Sequence, residues 1–217
     1  MRSRHYFLTA LAVLCYCVFT QAQDWEMEMV TEDGIEVYTR LEEGQDLKQV
    51  KVLFETDCSL DQILNKLTDA AGYTDFVYNS ILYERVSGEE QGQGVFYGQI
   101  DFPWPLTDRD FLVETETYYT SGMDSVIIES RSIEHEDWDT KRGFRRVPSH
   151  YNRWVLSPSD TGKIHVEYLL KSDPGGTLPQ WAINTVIHEG SVRTIQRLLE
   201  VAPENQAESP YVQIREK

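Results

Sequence analysis

The run Glu134-His135-Glu136-Asp137 sets four metal-capable side chains in succession. Adjacent side chains on a strand point to opposite faces, so contiguous ligands do not converge on one ion. The segment reads as a solvated loop. His188 falls within a helical pattern and reads as a helix-face residue rather than a base. Cys58 has no cationic motif beside it to lower its thiol pKa, so it reads as a buried or inert thiol. The chain has no glycine-rich phosphate loop, no nucleophile elbow and no zinc-type histidine spacing. No metal, no cofactor and no catalytic residue is therefore expected.

The stretch DFPWPLTDRDFLVE, residues 101–114, is more informative. Pro103 and Pro105 fix φ and lack an N–H, so they end one strand and forbid simple continuation. Asp108-Arg109-Asp110 then stands where the next strand begins. A buried guanidinium demands a partner, so Arg109 is expected to secure that strand by pairing with a nearby carboxylate, as a structural pair or a polar group of a cavity.

Beyond Arg109 the residues alternate. Phe111, Val113, Thr115, Thr117 and Tyr119 share one face of a strand, and Leu112, Glu114, Glu116 and Tyr118 the other. By the same rule Val126 and Ile128 face inward, as do Ile164, Val166, Tyr168 and Leu170. Apolar walls with a few hydroxyls suit one amphipathic ligand, whose polar end needs one or two partners. Thr115, Thr117 and Tyr168 can supply them, and Trp181 and Thr185 add a helix face. The same alternation also suits a solid core, and periodicity does not separate the two.

The elements that would position these side chains follow along the chain. Arg2 and Arg4, an apolar run from Phe7 to Phe19 and a small-residue end at Ala22 have the layout of a cleaved secretory signal peptide, residues 1–22. The run is short for a membrane span. A secreted or periplasmic location is expected. All 36 acidic residues lie beyond that segment against 18 of the 20 basic ones, so the mature part carries a formal charge of −18. Such a surface repels phosphate backbones, which excludes nucleic acid as a partner. Only Cys58 of the three cysteines lies past Ala22, so no internal disulfide is expected.

Trp25 and Met29, four apart, suggest a short helical lead-in over 24–30. Residues 35–56 read as a β-hairpin, and Ser59 caps a helix running to Thr68. A second short helix ends near Asn79. Strand-like runs cover 81–86, 95–102, 111–119, 126–132, 152–156 and 164–171, joined closely enough to require antiparallel pairing. From Leu178 to Ala202 the pattern is one helix about 37 Å long, with Gly190 placed to allow a bend or close packing. Gly175 and Gly176 suit a turn or a hinge. The fold class is α+β: a curved antiparallel sheet with one face covered by a long C-terminal helix, a geometry that invites a cavity between them. One domain spans 23–202, and 203–217 is a polar tail.

Five segments in this order resemble the START (StAR-related lipid transfer) family. They are GIEVYTR, YTDFVYNSILYE (with Phe76 where the family usually has tryptophan), DFPWPLTDRDFLVE, NRWVLSP and SDPGGTLPQWAINTV. The resemblance implies a helix-grip fold around a hydrophobic tunnel, one bound lipid or sterol-like molecule, and no catalytic residue. It casts Pro103, Trp104 and Pro105 as a stiff corner beside the cavity. A monomer with transient membrane contact is expected. The competing readings are an enzyme of a related cavity fold, cyclase- or hydrolase-like, recognised by an unpaired acid or base pointing inward, and an interaction module whose cavity is filled.

Overall fold

The computed structural model describes residues 24–204, apart from 45–46, 89–91, 121–124, 136 and 184–188; the side chains of Gln180 and Trp181 are likewise outside the description. The predicted signal peptide and most of the predicted polar tail therefore fall outside the described residues, as do Thr185 and His188.

The hairpin forms as predicted. Strands β2 (Glu36–Leu41) and β3 (Lys48–Thr56) pair antiparallel, with Val37 opposite Val52. Val37, Thr39, Val50, Val52 and Phe54 turn inward from alternate positions. The predicted helical lead-in is instead a strand, β1 (Glu26–Val30), paired antiparallel with β2 at one edge of the sheet. A helix this short closes too few bonds to offset its nucleation, whereas the free edge of β2 offers a ready ladder. Lys48 Nζ holds Glu28 at 2.9 Å, and Trp25 lies beneath the Arg40 and Lys51 cations.

Helix α1 (Leu60–Thr68) starts on a reciprocal capping box. The Gln62 N–H donates to Ser59 Oγ, and the Ser59 N–H donates to Gln62 Oε1. A single turn, α2 (Tyr73–Phe76), buries Phe76 completely. Then come β4 (Ser80–Ser87), β5 (Gly94–Ile100), β6 (Asp108–Tyr119), β7 (Val126–Ser132), β8 (Phe144–Arg146), β9 (Ser149–Pro158) and β10 (Ile164–Asp173). The sheet order is β1-β2-β3-β10-β9-β7-β6-β5-β4, antiparallel at every step.

Strand β8 lies off this path. It pairs with β6 in parallel, which the sequence pattern did not anticipate. The chain reaches it through β7 and a loop, so the short-connection argument does not apply. A buried ion pair fastens it: Asp110, fully buried, accepts from Arg146 Nε at 3.0 Å and Nη2 at 3.1 Å, and also from the Tyr97 hydroxyl.

Helix α3 (Gln180–Ile183) and helix α4 (Gly190–Val201) are the described ends of the predicted 178–202 helix. The helical residues begin at Gln180, two later than predicted, because the Pro179 carbonyl accepts from the N–H groups of Ala182 and Ile183. Gly175 and Gly176 both sit at positive φ, +71° and +76°, in the turn after β10.

The core divides in two. The larger part gathers Val37, Val52, Ile63, Phe76, Leu156 and Ile195 with their neighbours, between the β2–β3–β10–β9 wall and helices α1, α2 and α4. The smaller part is Phe96, Phe111, Val113 and Val147, against β5 and β6.

Candidate functional site

A cavity of about 130 Å³ lies at the seam between those two parts. Its floor is made by one end of three strands: Arg109 and Phe111 on β6, His150 and Asn152 on β9, and Tyr168, Leu170 and Ser172 on β10. Each set steps by two, which is the strand period bringing alternate side chains to one face. Tyr73, Val77 and Tyr78 form a wall from α2 and its exit. Gly190, Ser191 and Thr194 of α4 form the roof.

Phe111 lies across its cross-strand partner Gly98, where a Cβ would stand 2.2 Å from the ring's Cζ. A glycine there lets the ring rest on β5. The ring also faces the His150 imidazole, 5.4 Å away and 22° from parallel. Tyr73 stacks on Tyr83 at 3.7 Å, and Tyr168 packs against Trp154 at 4.2 Å.

The polar groups are few and uncharged, with one exception. Asn152 Nδ2 lies 3.1 Å from His150 Nε2, and His150 Nδ1 lies 3.2 Å from Ser172 Oγ. With the asparagine amide donating to Nε2, the imidazole hydrogen sits on Nδ1 and goes to the serine oxygen. Burial pushes the His150 pKa down to about 4, so the ring is neutral at ordinary pH. Burial likewise pushes the Tyr73 hydroxyl up to about 12 and raises that of Tyr168 further.

The exception is Arg109, 2 % exposed. Its expected carboxylate partner is replaced by backbone carbonyls. Nε donates to Pro174 O at 2.9 Å, Nη2 to Gly175 O at 3.0 Å, and Nη1 to Thr107 O. Its guanidinium carbon stands 4.3 Å from the centre of the Phe102 ring. Burial and the nearby Arg145 charge both lower its pKa. The side chain ties the start of β6 to the turn leading into α3. The carboxylate pair in this region belongs instead to its neighbour, Asp110 with Arg146.

Of the residues read from sequence as facing inward or as polar groups of a cavity, Phe111, Tyr168, Leu170 and Arg109 border this cavity. The others are placed elsewhere. Val126, Ile128 and Val166 lie in the larger core part and Val113 in the smaller. Thr115 shares a 2.8 Å hydrogen bond with Ser130, and Thr117 donates to Gly92 O at 2.8 Å. Trp181 has its backbone in α3, and Thr185 is outside the described residues. Alternation identifies the inward face, but not where along it the layers part. His150, Asn152, Ser172 and Tyr73 were not singled out from sequence. Extending the β9 and β10 alternation toward the paired His150 and Ser172 end would have found three of them.

Glu134, His135 and Asp137 lie in a loop, where the Asp137 N–H donates to His135 Nδ1. No group of three metal-ligating side chains occurs among the described residues. Cys58 is a half-buried free thiol. No helix among the described residues is long and apolar enough to cross a membrane.

A curved antiparallel sheet, closed by C-terminal helix over a mainly apolar cavity, defines the helix-grip class. Within that class the chain belongs to the START domain family, whose family model matches residues 5–208. It is 25% identical over 197 residues to an uncharacterized protein of Pseudomonas aeruginosa, covering 90% of this chain and 96% of that one. It is 29% identical over 173 residues to bovine phosphatidylcholine transfer protein, covering 76% of this chain and 78% of the relative. Among solved structures, a STAR-related lipid transfer protein from Xanthomonas axonopodis superposes with a TM-score of 0.73 at 21% identity, over 82% of this chain and 98% of that one.

Proposed function

We propose that the protein binds one lipid or sterol-like molecule in the cavity beneath α4 and carries it between membranes. The observation behind this reading is an aromatic and aliphatic cavity with a few uncharged polar groups, at the layer seam of a START-domain chain. Burying a methylene is worth about 0.8 kcal/mol against water. Against a bilayer that difference nearly vanishes, so cargo is held in transit and still exchanges at a membrane. At about 130 Å³ the cavity is smaller than the usual ligand pocket of about 300–1,000 Å³. Loading therefore requires the two core parts to separate, with α4 and the loop before β6 as the movable sides.

Trp104 supports the membrane step. It is 90 % exposed between Pro103 and Pro105, two residues from the cavity-lining Phe102. An indole held out by a stiff loop suits the headgroup layer of a bilayer. The contact is transient, because the acidic surface is repelled by anionic headgroups. The protein acts as a monomer outside the cytoplasm, exported by the segment ending at Ala22.

Catalysis is the weaker reading. A general base works best with a pKa near the operating pH. His150 is held near 4, with both ring nitrogens already in hydrogen bonds. Native mass spectrometry of the chain exported by its own host tests the proposal. One lipid per protein is the expected result. Empty protein that turns over a soluble compound would support the enzyme instead.

A further inference from the structure

Resting on the lipid-binding reading above, we infer that the polar end of the cavity is built for an uncharged hydrogen-bonding group, so that the cargo is a neutral lipid bearing a hydroxyl or carbonyl rather than a phospholipid.

The first observation is an unused hydroxyl. Tyr168 is 8 % exposed and lines the cavity, and its hydroxyl has no hydrogen-bond partner among the described residues. The Tyr73 hydroxyl, bordering the same space, has none among them either. Both hydroxyls open onto the cavity with hydrogen-bonding capacity to spare, and a ligand oxygen placed between α2 and β10 would meet both.

The second observation lies along the β9–β10 rim. In the chain Asn152 to His150 to Ser172, the serine oxygen receives the imidazole hydrogen, and its own hydrogen is left to donate. Donor and acceptor capacity are therefore both offered, without charge. That matches a hydroxyl, which gives one hydrogen and accepts others, or a carbonyl, which only accepts.

The third observation is what a charged headgroup would meet. Among the described residues Arg109 is the one formally charged side chain lining the cavity, and each of its three nitrogens already serves a backbone carbonyl. A phosphate would have to share it with those three carbonyls, two of which belong to the turn at Pro174 and Gly175. Among the described residues no carboxylate lines the space to meet an ammonium. Three of the lining rings each have one face taken, Tyr73 by Tyr83, Phe111 by His150 and Tyr168 by Trp154, and the Phe102 and Tyr78 rings already face arginines. A buried zwitterion would have its charges poorly compensated.

The test offers the purified mature chain vesicles containing, in equal amounts, cholesterol, a diacylglycerol, phosphatidylcholine and phosphatidylglycerol, then identifies and counts the lipid retained. Cholesterol or diacylglycerol at one per protein is expected, with the hydroxyl-blocked methyl ether bound roughly 3- to 10-fold more weakly, the worth of one or two neutral hydrogen bonds. Tyr168→Phe and Ser172→Ala, each checked for an unchanged melting temperature, should each lower affinity for the free-hydroxyl lipid by roughly 3- to 10-fold. Retention of phospholipid in place of neutral lipid, or equal binding of the blocked and free forms, overturns the inference while leaving lipid binding intact. So does full affinity in both variants. Retention of no lipid at all overturns the lipid-binding reading with it.

Discussion

Acidifying this protein from pH 7 to pH 4 should remove about 3 kcal/mol of folding stability through one side chain, His150. In the unfolded chain the imidazole titrates near its ordinary 6.5, whereas in the fold burial holds it at about 4. The shift spans about 2.5 pKa units, and at about 1.36 kcal/mol each this gives roughly 3 kcal/mol. The direction follows from proton counting. Between pH 6.5 and 4 the unfolded chain binds a proton that the folded one refuses, so stability rises with pH across that window. It is flat above 6.5, where both states are neutral. The groups facing the ring are Phe111, Asn152 and Ser172, with Arg109 lining the same cavity; none is an anion that would favour the imidazolium. The assay is urea unfolding of the natural chain and of His150→Gln at half-unit steps. The carboxylates common to both chains cancel in the difference, which should grow to about 3 kcal/mol by pH 4. Parallel stability curves would falsify this reasoning, as would an imidazole NMR titration with its midpoint near 6.5.

Three further outcomes are expected. Gly98→Ala places a methyl 2.2 Å from Phe111 Cζ, so the ring must swing toward the cavity; a loss of roughly 1–3 kcal/mol by denaturant unfolding should accompany reduced lipid uptake, and an unchanged midpoint would show the ring free to give way. Asp110→Asn breaks the buried pair with Arg146 and leaves that cation short of its partner. A destabilisation of about 3–5 kcal/mol is expected from thermal melting, with faster amide exchange in β8. Trp104→Ala, at a 90 % exposed position, should leave the melting temperature within about 2 °C while weakening flotation with neutral vesicles several-fold; equal flotation would remove this loop from the membrane step.

Much of the architecture could be read along the chain. The hairpin, the Ser59 cap and all six central strand runs stand where hydrophobic alternation and capping residues place them. Two strands escaped for different reasons. In β1 an i,i+4 pair imitates one helical turn, and what makes the segment a strand is the open edge of β2. In β8 three residues carry too little periodicity to register, and the strand exists because Asp110 holds Arg146.

The family resemblance and the inward faces of β6, β7 and β10 were determined by the sequence alone, because a strand's side chains alternate whatever it packs against. Only the tertiary structure decided where along those faces a space remains. Val126, Ile128 and Val166 share a face with residues that border the cavity, yet they lie in packed core. The gap opens farther along, where Phe111 rests on Gly98 and the two core parts fail to merge. Arg109 shows the same division. Its need for partners is written in its chemistry, but the carbonyls that meet it come from Pro174 and Gly175, 65 and 66 residues away. Periodicity is a local property of the chain, whereas a void is what remains after distant side chains have been summed.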